Sequence, residues 1–417
     1  MLSVGRIHNR DYLVNLARDD YYQAGGEPPG HWWGKYAASL ELPYRVTTQH
    51  LHRLMDGYEP LNGEEKLVLN AGSLKREIGW DFTFSVPKSL SVIWSQSEPS
   101  MRKAIEAIQE TAVRKTLDFL EERATSRCGK GGKTRKPVTL VAGLFEHGTS
   151  RELDPNLHTH SALINVGRRV DENPGPTQKE TGTVELNRMI DRKMLLGALY
   201  RGELAAQLSE KLGFEIGPHL GGKPELWDIK GVSPELVSLF SKRRKQIQKS
   251  LKAKGLNSAI AASVAALDTR VEKTDINRQE LFSVWKVIGK SFDYRPPNPK
   301  FIRRDKETAK RKLGAEALAM LLEKGSSFTE DEVIRFIAER APKMGLGIDD
   351  ITAATSETLG RDDLVHLGDL GDGNRYTLRT THERAKAAIE AMEWNTIEKQ
   401  PRPAPKQACE QQLRLNL

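Results

Sequence analysis

The 417-residue chain has almost no cysteine, and that scarcity removes two classes of protein at once. Only Cys128 and Cys409 occur, too few for a disulfide-stapled module or a four-cysteine zinc cage, and they suit a reducing compartment. Long apolar runs are missing too. No stretch approaches the roughly 20 residues that a membrane-spanning helix requires, and residues 1–12 lack the apolar centre of a secretory signal. A cytoplasmic protein with no membrane insertion is therefore expected. Aromatic residues are sparse at 6%, but with 38% hydrophobic residues and strong local periodicity the composition favours folding over disorder. An intact phosphate-binding loop is absent as well. Gly217-Pro-His-Leu-Gly-Gly-Lys223 runs into Pro224 where Ser or Thr belongs, and Arg127-Cys-Gly-Lys-Gly-Gly-Lys-Thr134 lacks its first glycine, so neither ATPase nor helicase activity is expected.

Positive charge is what the chain does have. Lys and Arg number 64 against 56 Asp and Glu, a net charge of +8, and this excess favours a polyanionic partner, nucleic acid before an anionic membrane surface. Basic residues concentrate at Lys242, Arg243, Arg244 and Lys245, and again at Arg303, Arg304 and 310–312. Such runs read either as solvated faces or as tracks for a phosphate backbone, where they would add affinity rather than sequence choice.

Three prolines in the four residues 296–299 stop both helix and sheet and divide the chain there. Before that boundary, 81–86, 138–145 and 157–166 read as strands, and 102–125 and 186–212 as long helices. Strands and helices mixed without regular βαβ alternation indicate an α+β fold. Beyond the boundary, 309–324, 333–340 and 348–359 read as helices, the second preceded by a Thr329-Glu-Asp-Glu332 capping box. Residues 364–367 and 375–378 flank a Gly-Asp-Gly-Asn turn and read as a hairpin. Three helices and a hairpin suggest a winged helix. The expected division is 1–295 as the main domain, 296–312 as a proline-rich and basic linker, 313–395 as the winged-helix-like α/β-hairpin domain and 396–417 as a flexible tail.

The strongest chemical signal is His147-Gly-Thr-Ser-Arg-Glu-Leu-Asp-Pro-Asn-Leu-His158-Thr-His160. Residues two apart on a strand share a face, so His158 and His160 project together, while the Asp-Pro-Asn turn allows His147 to approach from the preceding strand. The three imidazoles read either as a metal-ligand set with open coordination positions or as ordinary strand residues bonded to neighbours. Imidazole donors alone favour zinc, nickel or copper, whereas magnesium prefers oxygen. Near the N-terminus stands Asp19-Asp20-Tyr21-Tyr22, with Tyr12 upstream. Adjacent tyrosines are often an aromatic patch. One becomes an oxygen nucleophile only where a metal polarises a phosphate and a base such as Asp81 assists.

Together these segments resemble the MobF-type conjugative relaxases, the TraI/TrwC-like branch of the HUH endonucleases. The resemblance rests on Met1-Leu-Ser, Asp20-Tyr-Tyr22, Gly34 after a tryptophan pair, Gly79-Trp-Asp-Phe-Thr-Phe-Ser-Val-Pro-Lys-Ser89 and the histidine segment, in order through residues 1–295. It implies a relaxase domain with a central antiparallel β-sheet flanked by helices, which nicks one strand of a plasmid transfer origin, keeps a 5′-phosphotyrosine link and rejoins the strand. By position, His147, His158 and His160 would hold a divalent ion, magnesium or manganese with zinc or nickel as alternatives. Asp81 would support a histidine or take the tyrosine proton. Family members usually carry two tyrosine pairs, but the upstream one here reads Asp11-Tyr12, so the nucleophile is ranked Tyr21, then Tyr12, then Tyr22. Lys88 and Arg151, inside the matching motifs, join Lys242, Arg243, Arg244 and Lys245 as expected DNA contacts. The implied partners are single-stranded DNA and the hairpin of the transfer origin, a type IV coupling protein and accessory DNA-binding proteins. A rolling-circle replication initiator and a non-catalytic winged-helix regulator with a structural metal are the competing readings, the first disfavoured because tyrosines precede histidines here.

Overall fold

A computed structural model of the chain describes residues 1–8, 27–170, 180–253, 277–369 and 373–398. The strands of its first part are, in chain order, Leu2–Arg6 (β1), His31–Trp33 (β2), Gly79–Ser85 (β3), Thr125–Cys128 (β4), Thr134–Thr139 (β5), Ala142–Thr149 (β6), Pro155–Ile164 (β7), Gly167–Arg169 (β8), Thr181–Gly182 (β9), Ile216–Pro218 (β10) and Trp227–Ile229 (β11). Five of them build a central sheet in the order β1-β3-β7-β6-β2, antiparallel throughout. The two longest strands, β6 and β7, are joined by the turn at 150–154, so a sequence-local hairpin forms the middle of the sheet. A basic four-stranded sheet, β4-β5-β8-β9, extends from this body.

The helices of the same part that bear on the site are Thr48–Asp56 (α1), Lys88–Gln96 (α2), Pro99–Glu121 (α3), Leu186–Asp191 (α4), Lys193–Leu212 (α5), Lys242–Ala253 (α6) and Arg278–Ser291 (α7), besides the short helices Lys35–Ser39 and Pro234–Leu239. Period-2 alternation sorts the sheet residues between two hydrophobic clusters. Phe82, Phe84, Leu144, Leu157 and Leu163 pack with α2, α3 and α5 on one side. Phe145, Ala162 and Ile164 meet Leu51, Leu54 and Met55 of α1 on the other. The histidines share this second side, because His158 and His160 stand in phase with Ala162 and Ile164, as His147 does with Phe145.

Two expected elements are divided. The apolar run 138–145 bends at Leu140 and Val141, so β5 leaves for the small sheet while β6 enters the central one. Residues 186–212 break at Arg192, whose φ of −81° and ψ of 4° end α4 and begin α5. Helix α5 is buried along almost its whole length, Leu195 to Ser209, and its polar members Glu203, Gln207 and Ser209 are hydrogen-bonded inside the fold.

The remaining elements are Lys306–Lys324 (α8), Ser327–Thr329 (β12), Glu330–Met344 (α9), Ile348–Leu359 (α10), Leu364–Asp369 (β13), Asn374–Leu378 (β14) and Arg379–Glu398 (α11). Helix α8 starts three residues before the expected 309, inside the expected linker, because the Asp305 carboxylate accepts hydrogen bonds from the Thr308 backbone N–H and hydroxyl. Helix α11 reaches Glu398, past the expected 395, and the rest of the expected tail lies outside the described residues. The hairpin strands pair as expected and β12 joins them in the order β12-β14-β13. This second part is not set apart from the first. Helix α9 packs along α5, where an added methyl at Gly202 would lie 3.1 Å from Ile351 and 3.4 Å from Ala341. The Ile348 N–H donates to Glu203 at 2.7 Å and Arg192 pairs with Asp331 at 2.6 Å. One hydrophobic cluster runs from the sheet through α5 into α8, α9 and α10.

Candidate metal and DNA site

The three histidines meet where β6 and β7 pair. His147 stands directly opposite His158 and Phe145 opposite His160, so the two-residue step along β7 places both imidazoles beside that of His147. Ring centroids lie 5.0, 5.1 and 5.3 Å apart, each pair tilted edge to face. One nitrogen from each ring falls within 4.8 Å of the others, and the three residues are 7–9% exposed. Burial of three imidazoles side by side at this level suits a ligand set facing one ion.

Neighbours fix the tautomers. His160 Nδ1 lies 2.6 Å from Asp81 Oδ2, and Thr83 on the same strand donates its hydroxyl to that oxygen at 3.2 Å. A carboxylate in this position holds the Nδ1 proton and assigns metal ligation to Nε2. His158 Nδ1 lies 2.7 Å from the carbonyl oxygen of Asn156, which can only accept, so this ring also carries its proton on Nδ1. The donor set is thus three imidazoles with two tautomers fixed from outside, a chemistry that fits a divalent ion. Among the described residues no other group of three His, Cys, Asp or Glu side chains converges in this way.

Sequence reasoning missed a layer behind His147. Glu146 points to the opposite face of β6, in phase with Ala142 and Leu144, yet it is a carboxylate on the packed side. There the Arg278 guanidinium, at the start of α7, meets three acids: Glu146 at 3.0 Å, Glu106 at 2.9 Å and Glu27 at 3.3 Å. It also lies 5.1 Å above the Trp94 ring, whose indole N–H donates to Glu106. Burial pushes the Glu146 carboxyl up to about 7 even though Arg278 opposes the shift. Glu27 turns its second oxygen to the Gly148 N–H at 2.8 Å. Gly148 has no room for a side chain, since a Cβ there would come within 2.5 Å of Trp94. The available sequence signal was Glu146 itself, a charge interrupting the apolar phase of β6.

Expected DNA contacts gather at the same end of the hairpin. The Lys88 amino group donates to the Pro155 carbonyl at 2.8 Å, and Arg151 sits half-buried in the β6–β7 turn. The basic helix α6 begins against that turn: buried Asp154 accepts from the Arg243 backbone N–H at 3.4 Å and lies 4.0 Å from the Lys242 ammonium. Lys242 and Lys245 are exposed on α6, and Arg244 belongs to the same helix. Tyr12, Tyr21 and Tyr22 lie outside the described residues.

With this geometry in place the comparisons are decisive. The TrwC relaxase family model matches residues 8–291, well over half of the chain. The chain belongs to the TrwC relaxase family. It is similar to the multifunctional conjugation protein TraI of Escherichia coli strain K12, 28% identical over 388 residues that make up 88% of this chain and 21% of that protein. The chain therefore spans about a fifth of the length of this curated relative. Among solved structures it is similar to the conjugative relaxase TrwC in complex with oriT DNA in a copper-bound form, at 28% identity and a TM-score of 0.60. It is likewise similar to TrwC complexed with a 27-mer DNA comprising the recognition hairpin and the cleavage site, at 27% identity and a TM-score of 0.59. Each match covers 71% of this chain and all of the other. The expected α+β relaxase fold is borne out. A relative that binds metal, together with the histidine cluster, supports a divalent metal as cofactor. No described helix is long and apolar enough to cross a membrane.

Proposed function

We propose that this member of the TrwC relaxase family nicks one DNA strand at a plasmid transfer origin by transesterification and later rejoins it. The observation that carries the reading is the cluster of His147, His158 and His160 with Asp81 clamped on His160 at 2.6 Å. A divalent ion there would neutralise charge on the oxygens of the scissile phosphate. The attacking phenol oxygen forms a bond to phosphorus as the bond to the 3′ oxygen breaks, leaving a 5′-phosphotyrosine and a free 3′ hydroxyl. Tyr21 is the first choice of nucleophile, ahead of Tyr12 and Tyr22. Glu27, the first described residue after the tyrosines in sequence, is held beside His147 through Gly148. The Asp81 contact favours support of His160 as its main role, and its other oxygen is buried with no hydrogen-bond partner among the described residues, in keeping with a proton acceptor.

Three nitrogen donors favour nickel, zinc or copper; magnesium or manganese would need phosphate and water oxygens to complete its shell. Single-stranded DNA with an adjacent hairpin is the proposed substrate, tracked by Lys88, Arg151, Lys242, Arg243, Arg244 and Lys245. The working division is 1–295 for the reaction and 313–395 as a winged-helix-like unit, a reading supported by three helices with a three-stranded sheet. A coupling protein, accessory DNA-binding proteins and a cytoplasmic location complete the proposal. Labelled single-stranded oligonucleotides from the flanking plasmid DNA test it. A denaturation-resistant adduct that maps to Tyr21 and disappears in Tyr21→Phe is the expected result. Cleavage that leaves a free 5′-phosphate and no linked peptide would defeat the transesterase reading.

A further inference from the structure

The residues on either side of His147 in β6 are each tied to a distant part of the chain. On one side the Glu146 carboxylate meets Arg278 at 3.0 Å; on the other the Gly148 N–H donates to Glu27 at 2.8 Å. Glu27 and Arg278 pair with each other at 3.3 Å. The result is a closed circuit, Glu146 to Arg278 to Glu27 to Gly148, that brackets His147 at the point where the β6–β7 register shifts. A strand at such an irregularity has lost part of its ladder, and its local direction depends on whatever else binds it.

We infer that Glu27 and Arg278 are positioning residues that set the backbone of β6 so that His147 completes the metal-ligand set. The inference rests on the reading of the three histidines as a metal site. It assigns to this chain a specific division of labour. Asp81 and the Asn156 carbonyl act on the rings of His160 and His158, and the Glu27–Arg278 pair acts on the strand that carries His147. Both residues are buried enough for the pairing to act strongly: Glu27 is 5% exposed, and the Arg278 side chain 14%. Partners of ligand residues of this kind change metal affinity by about 10- to 100-fold when removed.

Calorimetric titration of the full chain with nickel(II) alone tests this without reference to cleavage. Glu27→Ala, which removes the acceptor of the Gly148 N–H, should weaken nickel binding by about 10- to 100-fold. Glu27→Gln keeps an amide oxygen for Gly148 and should restore most of the loss. Val333→Ala, in the distant α9, should lower the unfolding temperature while leaving nickel affinity at the wild-type value. Should Glu27→Ala not fold, Arg278→Lys takes its place, with a reduced affinity expected because a single ammonium cannot span Glu27 and Glu146 together. Wild-type affinity in the folded Glu27 or Arg278 variants would overturn the inference, as would an equal loss in Val333→Ala. A wild-type chain that fails to bind nickel overturns both the metal site and this inference. A wild-type chain that binds nickel with the expected variant pattern, yet forms no DNA adduct, upholds the inference while defeating the transesterase reading.

Discussion

The histidine face and the helix ends of the C-terminal part are shaped by contacts of different range. Around the histidines the decisive pairs join residues far apart in the chain: Asp81 with His160, Glu27 with Gly148, Arg278 with Glu146. At the helix starts of the C-terminal part the partners are three residues apart, Asp305 with Thr308, Thr329 with Glu332 and Gly347 with Asp350. Local contacts form an element; distant ones aim a side chain. The difference implies that a change at the histidine face should alter chemistry or cooperative stability out of proportion to its size, while a lost cap should cost only its own helix.

The largest effect is expected for His160→Ala. One imidazole and its Asp81 contact disappear together, and metal-dependent nicking should fall by about 100-fold or more, with near-ultraviolet circular dichroism unchanged. Normal nicking by this variant in metal-limited buffer would remove the functional half of the comparison. Next comes Arg278→Gln. It leaves three carboxylates facing one another without a cation, so denaturant unfolding should report a loss of about 3–5 kcal/mol. Adding Glu146→Gln should recover part of this loss, because one of the stranded charges is then gone. Additive losses in that double variant would show that the cluster does not act as a unit.

Thr329→Ala probes the other region. Its side chain accepts from the Glu332 N–H and the Glu332 carboxylate accepts from the Thr329 N–H, a reciprocal cap. Its removal should cost about 1 kcal/mol in thermal or denaturant unfolding and leave nickel binding untouched. A change in metal affinity would mean that the two regions are coupled through α5, where Glu203 receives the Ile348 N–H. The smallest effect concerns pH. Glu110 is pulled down to about 2, first by His31 3.3 Å away and then by Arg114 2.8 Å away. A carboxylate whose folded pKa is depressed adds stability above its unfolded value near 4.5, and that contribution is lost as pH falls toward 2. Solvent reaches the pair, so the gain should be about 0.5 kcal/mol or less. Glu110→Gln should flatten the acid limb of the stability curve by that amount, and an unchanged limb would place the pair among surface contacts of no consequence.

The comparison also explains which parts of the molecule were readable from residue order. The 348–359 helix, the capping box at Thr329 and the hairpin around 364–378 were legible because period, caps and turn residues act within a few positions. The i, i+2 spacing of His158 and His160 was legible for the same reason. The break at Leu140 and Val141 was not, since it depends on which sheet each half of an apolar run joins. Nor was the start of α8 at Lys306, where a single side chain of Asp305 extends the helix into a stretch whose prolines and charges read as linker.

By itself, then, the sequence determined the chemistry on offer: three imidazoles, a turn that folds two of them back toward the third, a carboxylate in the Gly79–Ser85 strand and a basic surface for a polyanion. Tertiary structure decided how these groups act. It placed Asp81 on His160 rather than on another ring, put Arg278 between three acids drawn from separate segments, and bound Glu27 to the strand of His147. The physical reason lies in the alternation of a strand, which tells which side chains share a face but carries no information about what the neighbouring strand or helix brings to meet them.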